Sequence, residues 1–166
     1  IRDSNTTTEQ AELLDRSVLT NEGKKLIGDS LFYDRQAGYG EAFYNVWMND
    51  SINKNVLKGD YCFYNEISSG ALATDRAVAI DYSQGDSLYM HADTFKIVTF
   101  NIETDSVYRK IHAFHHVRAF RRDVQGVCDS LVYNSLDSCM TMYHDPIVWN
   151  NSQQLFGDRI DVYMKD

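Results

Sequence analysis

One short pattern recurs along the chain: an aspartate set among alternating apolar residues. The five copies are "IGDSLFYD", "KGDYCFYN", "HADTFKIV", "VCDSLVYN" and "FGDRIDVY", with the aspartates Asp29, Asp60, Asp93, Asp129 and Asp158. These aspartates lie 31, 33, 36 and 29 residues apart. A second series, roughly midway between them, consists of Val46, Val78, Val117 and Val148. Two series that keep one loose period indicate a repeated structural unit with loops of variable length.

Each unit reads as a strand, a turn and a second strand. Residues around the aspartates alternate between apolar and polar, and 52 of the 166 residues are β-branched or aromatic. Both features are typical of strands. The connections "DRQAG", "NEISSG", "NIETD" and "NSLDS" are rich in the residues that favour turns. The sequence therefore predicts an all-β fold built from repeated antiparallel strand pairs.

The repeat also predicts the division of the chain into an N-terminal segment and one β-repeat domain. Residues 24–166 form one β-repeat domain of about five strand-pair units, of which the last is incomplete. Residues 1–23 form an N-terminal segment that is partly irregular or contributes a first strand. Helical periodicity is weak, and only residues 6–17 could begin with a helical turn, with Thr8 as its cap.

Period-2 alternation predicts which residues face the interior. The positions two before, two after and four after each aspartate are apolar or aromatic in thirteen of fifteen cases. These thirteen candidate interior residues are Ile27, Leu31, Tyr33, Cys62, Tyr64, Phe95, Ile97, Val127, Leu131, Tyr133, Phe156, Ile160 and Val162. A sheet with one apolar face must fold over or stack, which allows a two-sheet sandwich, a V-shaped folded sheet or a short solenoid.

The anchor aspartates share the parity of the interior residues, although they stand near the strand starts. An isolated buried carboxylate is costly. We therefore expect the aspartates at an edge or corner of the sheet, where they accept hydrogen bonds from backbone N–H groups.

The composition argues against several functional classes. A net charge of −8 disfavours nucleic-acid binding, which needs a basic surface. The sequence contains no P-loop, dinucleotide fingerprint or nucleophile elbow, so we predict no enzymatic activity, no catalytic residue and no cofactor. The histidines of "HAFHH" would need a further ligand from elsewhere to hold zinc, and no metal site is predicted.

The three cysteines are too few for a disulfide scaffold. Cys128 and Cys139 flank a predicted hairpin turn at residues 134–137. Pairing about that turn sets Cys139 opposite Val132 rather than Cys128, so we expect no disulfide between the two.

The repeated motif resembles that of the OstA-like family, the periplasmic lipopolysaccharide-transport protein A (LptA-like) proteins. The stretches "SLYMHADTF" and "QLFGDRIDVY" are the most similar to family members. The matching positions are Gly28-Asp29-Ser30-Leu31, Asn45-Val46-Trp47-Met48, Gly59-Asp60, Ala92-Asp93-Thr94-Phe95 and Gly157-Asp158. The likeness covers roughly residues 24–166, and it departs from the family where Tyr44 stands in place of the usual Gly before Asn45.

The resemblance implies a V-shaped folded sheet, also called a β-taco or β-jellyroll, whose apolar trough holds the acyl chains of lipopolysaccharide. It implies an exported periplasmic protein, with its signal peptide removed, that acts in lipopolysaccharide transport to the outer membrane or associates with that membrane. Its partners would be lipopolysaccharide, other transport proteins, or a second copy joined end to end through terminal strands such as residues 159–166. The candidate interior residues would line the trough, and the candidate phosphate contacts are Arg118, Arg121 and Arg122.

The alternation of apolar and polar residues by itself is compatible with two other functional interpretations. One is a non-enzymatic β-sandwich binding module, carbohydrate-binding or adhesive, with a sealed core. The other is a repeat that only scaffolds partners. An apolar groove open to solvent would favour lipid transport, whereas a filled core with Trp47 and Trp149 on an exposed face would favour the binding module.

Overall fold

The computed structural model describes residues 2–5 and 10–164, with side chains from residue 10 onward. Its strands are β1 (Arg2–Asn5), β2 (Gln10–Asn21), β3 (Lys24–Asp34), β4 (Tyr39–Asp50), β5 (Asn55–Asn65), β6 (Gly70–Asp81), β7 (Leu88–Phe100), β8 (Tyr108–Arg121), β9 (Val124–Asn134), β10 (Cys139–Tyr143), β11 (Ile147–Asn150), β12 (Gln153–Phe156) and β13 (Arg159–Tyr163). The prediction of a helical turn is wrong for residues 10–17, which belong to β2, while Thr8 lies outside the described residues.

All of these strands pair antiparallel in one sheet, in the order β1 to β10 followed by β13. β11 pairs with β9 on one side and with β12 on the other. Thus β10 with β11, and β12 with β13, each act as a single bent strand. The N-terminal segment contributes β1 and β2, and β2 pairs with β3 along its length.

Every ladder between β2 and β9 is interrupted at the same level. Between β4 and β5, Phe43 pairs with Tyr61 and Val46 pairs with Gly59, so two residues of β4 oppose one residue of β5. The extra residues of β4, β6 and β8 all have positive φ; they are Tyr44, Asn45, Asp75, Arg76, His115 and His116. A two-against-one step is a β-bulge, which bends the strand. Bulges aligned across neighbouring strands produce one continuous crease.

The crease divides the sheet into two arms that close on each other as a V. The first arm contains residues 17–28, 46–59, 77–92, 117–128 and 147–156, and the second contains 10–14, 30–43, 61–74, 94–114, 130–143 and 159–163. The inner sides of the arms share one apolar core, to which the first arm contributes Leu57 and Met90 and the second contributes Leu31 and Phe95. The predicted V-shaped, all-β fold is confirmed.

The crease also reverses the alternation of inward and outward residues. After each aspartate the inward positions are those predicted, as for the fully buried Leu31. Before the aspartate the parity is opposite, because the bend takes up one residue of the alternation. Leu26 therefore packs against the core, and its neighbour Ile27 pairs with the exposed Trp47 on the outer side.

The interior prediction is consequently wrong for Ile27, Val127 and Phe156. These three residues lie on an outward row of the first arm: Val127 pairs with the exposed Arg118, and Phe156, which is 69% exposed, pairs with Ile147.

The anchor aspartates lie at the corner, as expected, but side chains rather than backbone N–H groups are their main donors. Asp29 accepts hydrogen bonds from Arg16 Nη1 at 2.9 Å and from Asn45 Nδ2 at 2.8 Å. Asp60 accepts two from Arg76, at 2.9 and 2.7 Å. The equivalent pairs further along the crease are His116 with Asp93 and His115 with Asp129. The donors belong to the extra crease residues or their equivalents, so the bulge provides the partners of the aspartates.

The turn between β9 and β10 lies one residue later than predicted. Cys139 pairs with Asn134, and Thr141 pairs with Val132, so the expected pairing of Cys139 with Val132 is wrong. The side chain of Asp137 accepts the Cys139 N–H, which keeps four residues in the turn. The three cysteines are free.

Gly59 occupies the crease position that precedes an aspartate, and a side chain has no room there. An added Cβ would lie 2.6 Å from the carbonyl oxygen of Thr74 on the neighbouring strand. We predict that Gly59→Ala lowers the free energy of unfolding by roughly 1–3 kcal/mol, measured by urea denaturation. Gly28→Ala is the matched control, because its Cβ would come no closer than 3.1 Å to Leu31 and 3.3 Å to Ala42 and the Ser30 carbonyl, so the loss should be smaller. Equal losses in the two variants would contradict this explanation.

His116 and Arg76 occupy equivalent crease positions but respond differently to pH. The hydrogen bond to Asp93 raises the pKa of His116. This pair therefore stabilises the fold below the ordinary histidine pKa of about 6.5 and loses that contribution as the pH rises through the raised value. The hydrogen bond from Arg76 lowers the pKa of Asp60, so its contribution is present at neutral pH and is lost as the pH falls through the lowered value.

We predict that His116→Gln lowers the urea midpoint of unfolding at about pH 6 and leaves it unchanged at about pH 9. Arg76→Gln should lower the midpoint equally at both pH values, since neither group of its ion pair titrates between them. A midpoint shift for His116→Gln that is the same at both pH values would rule out a role for its charge.

Candidate lipid-binding interior

Two apolar rows cross the inner side of the second arm. One is Leu13, Leu31, Ala42, Cys62, Ala73, Phe95, Ala113, Leu131, Met142 and Ile160; the other is Ala11, Tyr33, Gly40, Tyr64, Ala71, Ile97, Ile111, Tyr133, Met140 and Val162. The facing row of the first arm is Leu19, Leu26, Met48, Leu57, Ala79, Met90, Ala119, Gly126 and Val148. Large and small residues alternate along much of these rows, which lets the arms approach closely.

Ten of the thirteen predicted interior residues lie on this inner side: Leu31, Tyr33, Cys62, Tyr64, Phe95, Ile97, Leu131, Tyr133, Ile160 and Val162. In the middle of the wedge Leu31, Cys62, Phe95 and Leu131 are at most 1% exposed. The arms therefore fill this part of the interior with their own side chains.

The wedge is open at its β2–β4 end. A cavity of about 260 Å³, hereafter the mouth, is lined there by Leu19, Leu26 and Met48 together with Lys24, Lys25, Tyr33, Tyr64 and Glu66. Its apolar residues are only partly buried. The volume lies just below the range of about 300–1,000 Å³ that is common for small-ligand pockets. The mouth can therefore hold part of a lipid chain in this closed state.

Polar contacts tie the two arms together at the mouth. Lys24 Nζ, on the first arm, donates a hydrogen bond to the hydroxyl of Tyr64 on the second and lies 4.6 Å from the centroid of its ring. Asn21 Nδ2 donates across the arms to Glu66 at 3.2 Å. Tyr33 donates to the same carboxylate at 3.1 Å, and burial, followed by this hydrogen bond, raises the pKa of Tyr33. The mouth thus combines an apolar floor with a charged rim.

Further contacts close the opposite end of the wedge. Gln84 Nε2 lies 3.5 Å from Ser138 Oγ. Arg121 is buried on the inner side, where it binds Asp123 at 2.6 and 2.7 Å and donates to the carbonyl of Met164 at 2.7 Å. Met164 is fully buried. Arg121 and Met164 thus plug this end of the interior. A second cavity of about 260 Å³ also lies between the arms, beside Gln84 and Ser138, but most of its lining residues are polar. The mouth is therefore the cavity with an apolar floor.

The structure does not bring the three predicted phosphate-binding arginines together. Arg118 is exposed on the outer side of the first arm, and Arg122 is exposed in the turn after β8. Arg121 points inward and is held by Asp123.

Sequence reasoning missed the first-arm side of the wedge, including Leu26, Leu57 and Met90, and the lysines at the mouth. A signal for the first-arm residues was present: they stand three positions before Asp29, Asp60 and Asp93. A single uninterrupted alternation through each aspartate does not find these residues, because the bulge at the crease resets the alternation.

Within residues 10–164, no group of three or more His, Cys, Asp or Glu side chains is placed to hold a metal ion. The described part of the chain also contains no helix that is long and apolar enough to span a membrane.

The contrast between the filled middle and the open mouth can be measured with thiols. Cys62 is fully buried, and burial raises its pKa to about 12. We predict that native Cys62 reacts with iodoacetamide at least about tenfold more slowly than a cysteine introduced at the mouth by Leu26→Cys, as followed by peptide mass spectrometry. Both thiols should react alike in urea. Comparable rates in the native protein would mean that the wedge opens along its length.

No family model matches this sequence, and no curated protein matches it. A solved structure shares the fold: the crystal structure of LptH, the LptA-homologous periplasmic component of the conserved lipopolysaccharide transport device from Pseudomonas aeruginosa. The match has a TM-score of 0.59 at 11% sequence identity and covers 85% of this chain and 94% of that chain. At this identity the likeness concerns the fold. This chain therefore has the folded β-sheet architecture of LptH, in keeping with the LptA-like repeat in its sequence.

Proposed function

We propose that this chain is a non-enzymatic, periplasmic lipopolysaccharide-binding protein that takes part in lipopolysaccharide transport to the outer membrane. The observation that carries the proposal is an apolar interior, formed by two arms of one folded sheet and open at one end, in a fold shared with LptH. Holding an acyl chain requires shape and apolar surface but no reactive group, because each buried methylene contributes about 0.8 kcal/mol.

The mouth is the proposed site of first contact with the lipid. Leu26 and Met48 would receive the end of an acyl chain on the apolar floor. Lys24 and Lys25, at the rim, would meet the phosphates of the headgroup through charge-assisted hydrogen bonds. An acidic protein can bind an anionic lipid in this way where two lysines lie at the rim, even though the rim also carries Glu66.

Deeper binding requires the arms to separate. The inter-arm contacts at the mouth, Lys24 with Tyr64 and Asn21 with Glu66, are polar, and each such contact contributes about 1 kcal/mol. Roughly a dozen methylenes of one acyl chain contribute about 10 kcal/mol before association costs. An acyl chain can therefore replace these contacts, together with part of the core packing, as it enters the wedge.

Other transport proteins, or a second copy of the chain, are the proposed macromolecular partners. Among the described residues, β1 pairs only with residues 10–13 of β2, which leaves the first-arm half of β2 as a sheet edge. β12 and β13 form the opposite edge. Such edges can pair with a strand of another chain, which would extend the apolar interior from end to end.

The second candidate function is a non-enzymatic β-sandwich binding module, carbohydrate-binding or adhesive, with a sealed core. The complete burial of Phe95 and its neighbours favours it. In that case the interior would serve stability only, and ligands would bind outside.

Photocrosslinking in lipopolysaccharide-producing cells distinguishes the two functions. A photoreactive residue at Leu26 faces the mouth, whereas the same residue at Ile27 faces outward and is the matched control. We predict lipopolysaccharide adducts at Leu26 and none at Ile27. Adducts at Phe95 as well would mean that the acyl chain enters the filled part of the wedge. A folded protein without adducts at Leu26 would refute lipid transport and leave the binding module.

A further inference from the structure

The outer side of the first arm carries no acidic residue at its strand positions, although the protein has a net charge of −8. Within residues 10–164, the outward strand positions form two cross-strand rows. The row nearer the crease is Val18, Ile27, Trp47, Lys58, Val78, His91, Arg118, Val127, Ile147 and Phe156. The row farther from the crease is Thr20, Lys25, Asn49, Val56, Ile80, Tyr89, Phe120, Gln125, Trp149 and Gln154. All the charged side chains in these rows are basic. This surface is therefore electrostatically opposite to the protein as a whole.

Exposed aromatic residues lie among the basic ones. Tyr89 on β7 pairs with Phe120 on β8, and Trp149 lies beyond them on β11. Their exposed fractions are 42%, 50% and 36%. Large aromatic residues exposed together on one sheet face are more than the scattered apolar exposure of an ordinary surface.

The basic residues beside these rings have no acidic partner among the residues that the structure describes. Arg118 pairs across the strands with His91, and Arg122 is exposed in the turn that follows. Neither arginine forms an ion pair with any residue that the structure describes. Together Tyr89, His91, Arg118, Phe120, Arg122 and Trp149 form what we call the outer patch.

The outer side of the second arm has a different character. It carries the acidic residues Glu12, Glu41 and Asp161 among its aromatic ones, and Asp161 is paired with Arg159. Along the crease, basic residues are paired with aspartates. The second arm therefore mixes its exposed basic residues, such as Lys96, with acidic ones. Among the described residues, the outward strand positions of the first arm differ in combining basic side chains and exposed rings without any acidic residue.

We propose that the outer patch docks this chain onto an anionic phospholipid surface. Trp and Tyr favour the level of lipid headgroups, and exposed Arg and Lys are attracted to anionic lipids. A twisted sheet meets a plane over only a few neighbouring strands, and the patch spans that width, from β7 to β11. An acidic protein surface would match the arginines but would not require three exposed rings around them.

Both tryptophans of the chain lie on this outer side, so fluorescence reports directly on it. The Trp47→Phe variant leaves Trp149 as the only tryptophan. Vesicles of phosphatidylglycerol and phosphatidylethanolamine, without lipopolysaccharide, should shift the Trp149 emission to shorter wavelength, and bromine on the acyl chains should quench it. Phosphatidylcholine vesicles should have no effect. Binding should weaken as salt is added, because exposed charges are screened.

A pair of charge-matched double variants tests the site. Arg118→Glu with Arg122→Glu should lower the vesicle partition coefficient at least about 25-fold, since each neutralised charge alone contributes about fivefold. Arg35→Glu with Lys96→Glu makes the same change in net charge at exposed positions of the second arm and should lower it less than about fivefold. Circular dichroism and urea midpoints would establish that both variants are folded.

The outcomes separate this proposal from lipid binding at the mouth. Flotation with anionic vesicles, Trp149 quenching, and loss only in the Arg118 and Arg122 variant would support the patch. Absence of flotation, flotation without Trp149 quenching, or equal losses in both double variants would overturn it. Flotation that is abolished by Leu26→Glu at the mouth, but not by the arginine changes, would also overturn it.

Discussion

The crease is the constraint on which the rest of the structure depends. A sheet of this many strands with one apolar side must bury that side, and bending it along a line of aligned bulges lets one sheet serve as both walls of its own core. The bend has two residues of positive φ on each of β4, β6 and β8, and it requires a small residue before the aspartate, as the contact between Gly59 and the Thr74 carbonyl demonstrates. The Gly-Asp or Ala-Asp pair recurs in the sequence because the strand bends at that point in each repeat.

The same bend explains the side-chain hydrogen bonds on the outer side of the corner. Each aspartate stands where the strand turns, and the neighbouring strand offers Arg, Asn or His at its extra positions. These pairs are exposed, so each contributes little to stability by itself. They also connect neighbouring strands at the bend, because each donor and its aspartate stand on adjacent strands. At the crease position that Arg76 occupies on β6, β8 has His116, whose raised pKa makes its pair with Asp93 sensitive to pH near neutrality, whereas the pair of Arg76 with Asp60 is weakened only by acid.

Sequence periodicity could predict the repeated strand pairs and half of the residues on the second arm's inner side, whereas the V-shaped fold was implied by the resemblance to the OstA-like family. Leu31, Cys62 and Phe95 follow an aspartate, and the alternation from that point is regular. It failed for Ile27 and its equivalents because alternation is local, whereas the bulge that resets it is defined by the neighbouring strand. The mouth could not be predicted at all, because Lys24 and Tyr64 meet only when the two arms close.

Adjacent residues of one strand belong to two different surfaces of the first arm, its inner side and its outer side. Leu26 packs into the interior and Ile27 points outward, so one strand contributes to the inner wall of the wedge and to the outer surface at once. Separating the arms exposes the inner rows but leaves the ladders within each arm, and therefore the outer rows, unchanged. A chain held by the outer side of its first arm would keep its second arm, its crease and the mouth rim accessible to lipid. Docking and opening are thus compatible in this fold because each arm is a continuous sheet and all the bending is concentrated in the crease.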